Sequence, residues 1–158
     1  MENMLEYSRA TQQDSKELAQ RRLDYLRDDL GTLAPEEEQR LTANLPRYFS
    51  DHLEKNLFAF VAKDSGRIVA TALLVLVEKP CSPSFPRGRI GEVLSVYTMP
   101  QYRRKGIAAE LMKNLMDFSK ERELDYIKLI ATKSGYPVYK KLGFQEYVSD
   151  YTEMRFSL

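Results

Sequence analysis

The feature that most constrains the fold is a junction within residues 90–111, where an apolar segment meets a proline, three cations and a glycine. Residues 90–99 have the composition of a strand, Pro100 ends it, and helical periodicity begins after Gly106. The first turn of a helix carries backbone N–H groups without acceptors and a partial positive charge, so it attracts anions. The junction therefore predicts an anion site, to which Gly106 allows close approach. The cations beside it are Arg103, Arg104 and Lys105.

The segments before this junction predict one edge strand, two helices and a β-hairpin. Residues 5–10 favour a short strand, and a helix over 14–31 has a capping box at Asp14 and Glu17. A second helix begins at Pro35 and runs to about residue 53, with a kink or restart expected at Pro46. Strands 58–63 and 68–77 flank a turn at 64–67, which is typical of a hairpin.

The segments after the junction predict a parallel strand, a short helix and a last strand. Residues 126–131 follow a crossover of helix length, so this strand should lie parallel to strand 90–99. Ser134 is placed to cap a helix over 135–142, which Gly143 ends. Residues 151–158 alternate between apolar and polar, as a strand does. The prolines of 80–88 indicate a loop.

Length and composition exclude several classes of protein. The 158 residues suit one domain spanning 1–158, and no apolar run approaches the roughly 20 residues of a membrane helix. The start lacks the pattern of a secretory signal, so we expect a cytoplasmic protein. With only Cys81 and His52, neither a disulfide nor a cluster of His and Cys metal ligands is expected. A net charge of +1 disfavours nucleic acid and anionic membranes as partners.

Two common phosphate motifs are absent from the junction. A P-loop requires Gly-Lys-Ser/Thr, whereas Ile107 and Ala108 follow Gly106. No Gly-x-Gly-x-x-Gly opens a helix, so the usual dinucleotide fingerprint is also missing. A different arrangement must hold the anion.

The junction resembles the GNAT superfamily of acyl-CoA-dependent N-acyltransferases. Residues 103–108 fit its Q/R-x-x-G-x-G/A motif, and residues 139–144 look like its Y-x-K-x-G-F signature. Residues 96–98, just before Pro100, look like its bulged strand. The resemblance covers residues 58–156 well and residues 1–57 only through the order of elements.

The resemblance implies an α+β fold in αβα layers, whose mixed, mostly antiparallel sheet splays at a parallel strand pair and carries helices on both faces. It implies that acetyl-CoA is the cosubstrate, that no metal is used, and that the acetyl group passes directly to an amine. Tyr139 takes the position of the general acid, and Glu92 that of the base found in some members. The residues implied in cofactor binding are Val96, Tyr97, Thr98, Arg103, Arg104, Lys105, Gly106, Ile107, Ala108 and Ala109.

The residues leave alternatives open. Tyr139 could be a core tyrosine, and Glu92, which a strand would place about 13 Å from Val96, could act through water or be a plain strand glutamate. The chain could bind acyl-CoA without turnover as a sensor or structural subunit. The acceptor, an amine of a small molecule or peptide, is not identified by any motif in residues 14–57 or 80–88. An edge strand or the end of the sequence could pair two chains into a homodimer.

Overall fold

The computed structural model describes residues 4–158, which form a five-stranded sheet with helices on both faces. The strands are β1 (Glu6–Arg9), β2 (Leu57–Asp64), β3 (Arg67–Glu78), β4 (Arg89–Thr98) and β5 (Ile127–Lys128). The helices are α1 (Ser15–Leu30), α2 (Pro35–His52), α3 (Ile107–Glu121) and α4 (Tyr136–Leu142). Strands lie in the order β1-β2-β3-β4-β5, antiparallel throughout except for the parallel pair β4 and β5. The expected fold class is confirmed.

The sheet is central because its middle strands are apolar on both faces. On one face, Phe58 and Leu74 pack with the α3 residues Leu111, Met112 and Leu115 in one buried cluster. The residues buried on the other face, beneath α1 and α2, are Leu18, Phe49, Leu53, Val61 and Ile68. A nearly continuous apolar strand is what such double coverage requires, as β3 illustrates.

Strand β4 contains a bulge where the register with β3 shifts. Leu73 pairs with Leu94, but Thr71 pairs with Tyr97, so β4 has one extra residue between these pairs. Ser95 lies there with φ +53°, and the hydroxyl of Thr71 donates to its carbonyl oxygen at 2.9 Å. A bulge interrupts the ladder and redirects the strand that contains it. The bulge that the family resemblance implies is therefore present.

The parallel strands β4 and β5 separate after a short contact. They pair only through Gly91 with Ile127 and Glu92 with Lys128, although β4 continues to Thr98. Gly91 allows this contact, because a Cβ there would lie 2.6 Å from Leu74 Cδ1 and 3.0 Å from Ile127 Cγ2. Beyond this point strands β4 and β5 separate and leave a gap in the sheet. The predicted strand 126–131 is thus shorter than expected.

Several local predictions are wrong. The carboxylate of Asp14 accepts from the Thr11 N–H at 2.8 Å, so the capping box lies one turn before the predicted one. Glu17 does not belong to it and instead accepts from the Ile68 N–H at 2.9 Å. Helix α2 continues through Pro46 and does not restart there. Pro46 has no N–H to donate to the carbonyl of Thr42, but Thr42 is exposed, so water can replace that donor.

The cap of α4 and the last strand also differ from expectation. Thr132, rather than Ser134, accepts from the Gly135 N–H, at 3.1 Å. Residues 151–158 form no strand, because in the described part of the chain they pair with no other segment. In residues 4–158, no helix has the length and apolar character needed to cross a membrane.

Candidate functional site

A cleft of about 560 Å³ opens where β4 and β5 separate. Its walls come from the end of β4, the turn before α3, the first turn of α3, the end of α1 and the start of α4. Most of the predicted cofactor residues line it, together with Tyr139. These residues are Val96, Tyr97, Thr98, Arg103, Arg104, Gly106, Ile107, Ala108, Ala109 and Tyr139. Lys105 and Glu92 do not line it.

The first turn of α3 presents backbone donors to this cleft. Gly106 precedes the helix in the left-handed region at φ +76°, and its carbonyl accepts the first helical bond, from the Glu110 N–H at 3.1 Å. No side chain caps this turn, and within residues 4–158 the N–H groups of Ile107, Ala108 and Ala109 have no acceptor. Unpaired donors at the positive end of a 15-residue helix form an anion site.

The three cations before Gly106 have different surroundings. Arg103 donates to the Thr98 carbonyl at 2.8 Å and to Asp28 at 3.0 Å, which ties this turn to α1. The ammonium of Lys105 lies 5.6 Å from the centre of the Tyr102 ring. Arg104 lines the cleft at φ +63° and has no side-chain partner in the described part of the chain. Arg104 is therefore the cation most available to an anionic ligand.

Tyr139 lies across the cleft on α4 and is only 9% exposed. Its ring packs edge-on against Phe144 at 5.8 Å, and Gly135 allows its position, since a Cβ there would lie 2.8 Å from Tyr139 Cε2. Burial, with a smaller contribution from Tyr25, raises the pKa of Tyr139 to about 12. The phenol thus stays protonated at neutral pH and is a permanent hydrogen-bond donor. No partner for its hydroxyl is found among residues 4–158.

Glu92 is separated from this arrangement. Its carboxylate lies 3.4 Å from the ammonium of Lys128, where β4 and β5 pair, and its side chain is half-exposed. The bulge and the rest of β4 lie between Glu92 and the cleft-lining residues Val96 and Thr98. A role for Glu92 as the base stays a prediction, and it would require intervening water.

The end of α1 contributes a wall made of residues that were not among those predicted for the site. Tyr25, Asp28 and Asp29 line the cleft, at the i, i+3 and i+4 spacing of one helix face. That spacing is the signal in the sequence that could have identified them. Further cleft residues not predicted as cofactor-binding are Tyr102, Thr132, Ser134, Gly135 and Val138.

These parts define the ligand that the cleft can accept. Backbone donors and Arg104 provide an anion site at one side, and a protonated phenol with no partner stands at another. Between them lies the bulged strand, whose interrupted ladder leaves backbone groups for a ligand. A long molecule with an anionic group at one end and a hydrogen-bond acceptor at the other matches this order of groups.

Comparison with known proteins agrees with this chemistry. Residues 17–144 match the model of the acetyltransferase (GNAT) family. The chain is 31% identical over 88 residues to a glucosamine 6-phosphate N-acetyltransferase of Trypanosoma brucei brucei; the match covers 54% of this chain and about half, 56%, of that relative.

Solved structures share the fold over nearly the whole chain. A predicted acetyltransferase from Clostridium acetobutylicum, solved with acetyl-CoA, is 32% identical, with a TM-score of 0.83 and 96% of each chain covered. A GCN5-related N-acetyltransferase from Ralstonia eutropha JMP134 is 22% identical, with a TM-score of 0.80 over 96% of this chain and 99% of that one, and supports the fold alone. Since the family model spans most of the sequence, the chain belongs to the acetyltransferase (GNAT) family, whose members are acyl-CoA-dependent acetyltransferases.

Proposed function

We propose that this protein is an N-acetyltransferase that moves the acetyl group of acetyl-CoA directly to a primary amine of a small molecule or peptide. The observation that carries the proposal is the cleft itself, which combines the free N–H groups of α3 with the phenol of Tyr139. Acetyl-CoA supplies the activated acetyl thioester, and the chain's own residues bind it, orient it and donate a hydrogen bond to the departing sulfur.

The binding part of the proposal follows from charge and donors. The N–H groups of Ile107, Ala108 and Ala109 would donate hydrogen bonds to the diphosphate, with Arg104 adding charge and Gly106 leaving room. Val96, Tyr97 and Thr98 would present backbone groups to the amide-containing arm, because they follow the bulge. Arg103 would act indirectly by holding the turn against Asp28, and Lys105 would contribute long-range attraction.

The chemical part rests on Tyr139. Amine attack on a thioester forms the C–N bond and breaks the C–S bond, and the departing sulfur needs a donor. With a pKa of about 12, Tyr139 would hold its proton throughout and donate a hydrogen bond to the sulfur. The proton that the amine loses would pass to solvent, with Glu92 as a distant acceptor through water. No covalent intermediate on the protein is required.

The acceptor is proposed as a class. The relative from Trypanosoma brucei brucei bears the name of an enzyme acting on glucosamine 6-phosphate, which places amino sugar phosphates among the amines to test. Asp28 and Asp29 on the cleft wall would favour a cationic acceptor, but Asp28 is already paired with Arg103.

The test is release of free thiol from acetyl-CoA in the presence of polyamines, amino acids, aminoglycosides, N-terminal peptides and glucosamine 6-phosphate. We expect turnover with at least one amine, and a Tyr139→Phe variant should lose about 10- to 100-fold in kcat while binding acetyl-CoA normally. The matched control is Tyr7→Phe, which removes a phenol from the far edge of the sheet. Binding of acetyl-CoA without consumption across the panel would instead support a non-catalytic sensor. Equal kcat for the two tyrosine variants would reject the role of Tyr139.

A further inference from the structure

Helix α1 carries three arginines, and one of them has no carboxylate partner. Arg21 donates to Asp24 at 2.9 Å, and Arg27 lies beside both Asp24 and Glu38. Arg22 makes no hydrogen bond or ion pair with the part of the chain that the structure describes, although its side chain is partly buried. Burial removes water from a charged group, and this cost is offset when a counterion takes the place of the water. An anionic ligand would therefore be stabilised at Arg22.

Arg22 lies next to the wall of the cleft. Its guanidinium carbon is 5.7 Å from the centre of the Tyr25 ring, and Tyr25 lines the cleft. Burial lowers the pKa of Arg22, and the nearby phenols of Tyr25 on α1 and Tyr48 on α2 raise it. An arginine side chain remains protonated at neutral pH in such surroundings. A permanent cation therefore stands beside the cleft, close to one tyrosine from each helix.

The contact with Tyr25 does not occupy the donors of Arg22. A distance of 5.7 Å is close to the outer limit of about 6 Å for a cation over an aromatic ring, so the attraction is weak. The face of a ring also offers no oxygen acceptor, whereas a guanidinium has several N–H donors in one plane. These donors are therefore available to a ligand that brings oxygen atoms.

Tyr25 links this cation to the reacting end of the cleft. Burial and the carboxylate of Asp29 raise the pKa of Tyr25, against a smaller opposing effect of Arg22. The Tyr25 phenol therefore keeps its proton at neutral pH and can donate a hydrogen bond. It also raises the pKa of Tyr139, so the two phenols are close enough to interact. A ligand whose amine lies near Tyr139 would thus extend past Tyr25 towards Arg22.

We propose that the acceptor amine also carries an anionic group, a phosphate or a carboxylate, and that Arg22 binds this group. This assignment rests on the N-acetyltransferase function proposed above and narrows its acceptor class. The planar fork of a guanidinium matches the paired oxygens of both anions. Arg22, Tyr25 and Asp29 share one face of α1, at i, i+3 and i+7, so one acceptor can contact all three. Asp29, which has no ion pair within residues 4–158, would attract the amine in its cationic form.

Matched pairs of amines, with and without the anion, test this assignment by calorimetric titration of the protein in the presence of coenzyme A. The pairs are glucosamine 6-phosphate with glucosamine, O-phosphoethanolamine with ethanolamine, and 4-aminobutanoate with butylamine. At least one anionic amine should bind about 10-fold or more tightly than its neutral partner, and the pair that shows this difference distinguishes phosphate from carboxylate. Arg22→Gln should raise the dissociation constant of that anionic amine about 10- to 100-fold and leave its neutral partner within about 2-fold. Arg22→Lys, which keeps the charge without the fork, should lie between.

Arg27→Gln is the matched control, because it removes a cation from the same helix that is already paired with carboxylates. It should change neither dissociation constant by more than about 2-fold. Failure of every anionic amine to bind, or tight binding that Arg22→Gln leaves unchanged, would overturn the role of Arg22 without affecting acetyl transfer. Thiol release separates the two proposals. If no amine is acetylated, the proposed function fails, and the dissociation constants still decide whether Arg22 binds an anion.

Discussion

Replacing Gly106 by glutamate should weaken acetyl-CoA binding far more than it weakens the fold. Gly106 has φ +76°, and a Cβ there would meet no atom within 4 Å, so the protein itself offers space. Gly66, in the turn between β2 and β3, has φ +82° and equally open surroundings. Gly66→Glu is thus a matched control, with the same backbone penalty of about 1–2 kcal/mol and the same added charge.

The expected loss comes from electrostatics at the first turn of α3. A carboxylate about 6 Å from a phosphate charge costs roughly 0.7 kcal/mol in water and about 3 kcal/mol at an effective dielectric constant of 20. With more than one phosphate charge nearby, the dissociation constant for acetyl-CoA should rise about 10- to 100-fold or more in Gly106→Glu. Gly66→Glu should leave it within about 2-fold.

Isothermal titration calorimetry at two salt concentrations measures this effect. The loss of acetyl-CoA affinity in Gly106→Glu should become smaller at high salt, because exposed charges are screened over about 10 Å or less above 0.1 M. Thermal unfolding of both variants checks that they lose similar stability. If Gly106→Glu binds acetyl-CoA as well as Gly66→Glu does, the diphosphate is not held at this turn.

Three further predictions concern Tyr139 and the glycines that fix backbone positions. Gly135→Ala would add a Cβ 2.8 Å from the Tyr139 ring, at a φ of −80° that causes no backbone strain. This variant should displace the phenol and lower kcat about 10-fold with little change in acetyl-CoA affinity, as measured by steady-state kinetics. Between pH 10 and 12 the folded chain keeps the Tyr139 proton that the unfolded chain loses. The free energy of unfolding, measured by urea titration, should therefore fall as pH rises, and it should fall less steeply in Tyr139→Phe than in the unchanged protein. Gly88→Ala, with φ +73° and a Cβ 2.5 Å from the Lys79 carbonyl oxygen, should cost about 2–4 kcal/mol of unfolding free energy, against about 1–2 for Gly66→Ala.

The sequence was most informative where a local pattern and its packing agree. The β2–β3 hairpin, the crossover through α3 and the parallel placement of β5 follow from apolar runs, a turn and a helix-length connection. Gly106 before α3 could also be predicted, because a proline, a cationic turn and a glycine permit few other structures. The bulge in β4 was inferred from family resemblance, and its register shift is visible only in the structure.

The sequence was least informative where distant segments decide the outcome. Glu17 was interpreted as part of a helix cap, but its carboxylate accepts from the Ile68 N–H on β3, a contact no local pattern encodes. The alternation of residues 151–158 does predict strand character, yet a strand also needs an edge to pair with, which alternation cannot specify. The cleft wall at Tyr25, Asp28 and Asp29 depends on how α1 packs beside β4, which no local pattern encodes.

The most direct test of the central claim is a backbone amide NMR titration of the protein with acetyl-CoA. If the diphosphate lies on the first turn of α3, the N–H resonances of Ile107, Ala108 and Ala109 should show the largest downfield shifts, since these donors gain charged acceptors. The amides of Val96 and Thr98 should shift as well, whereas those of β1 should not. Saturable binding that leaves the α3 amides unchanged would contradict the account.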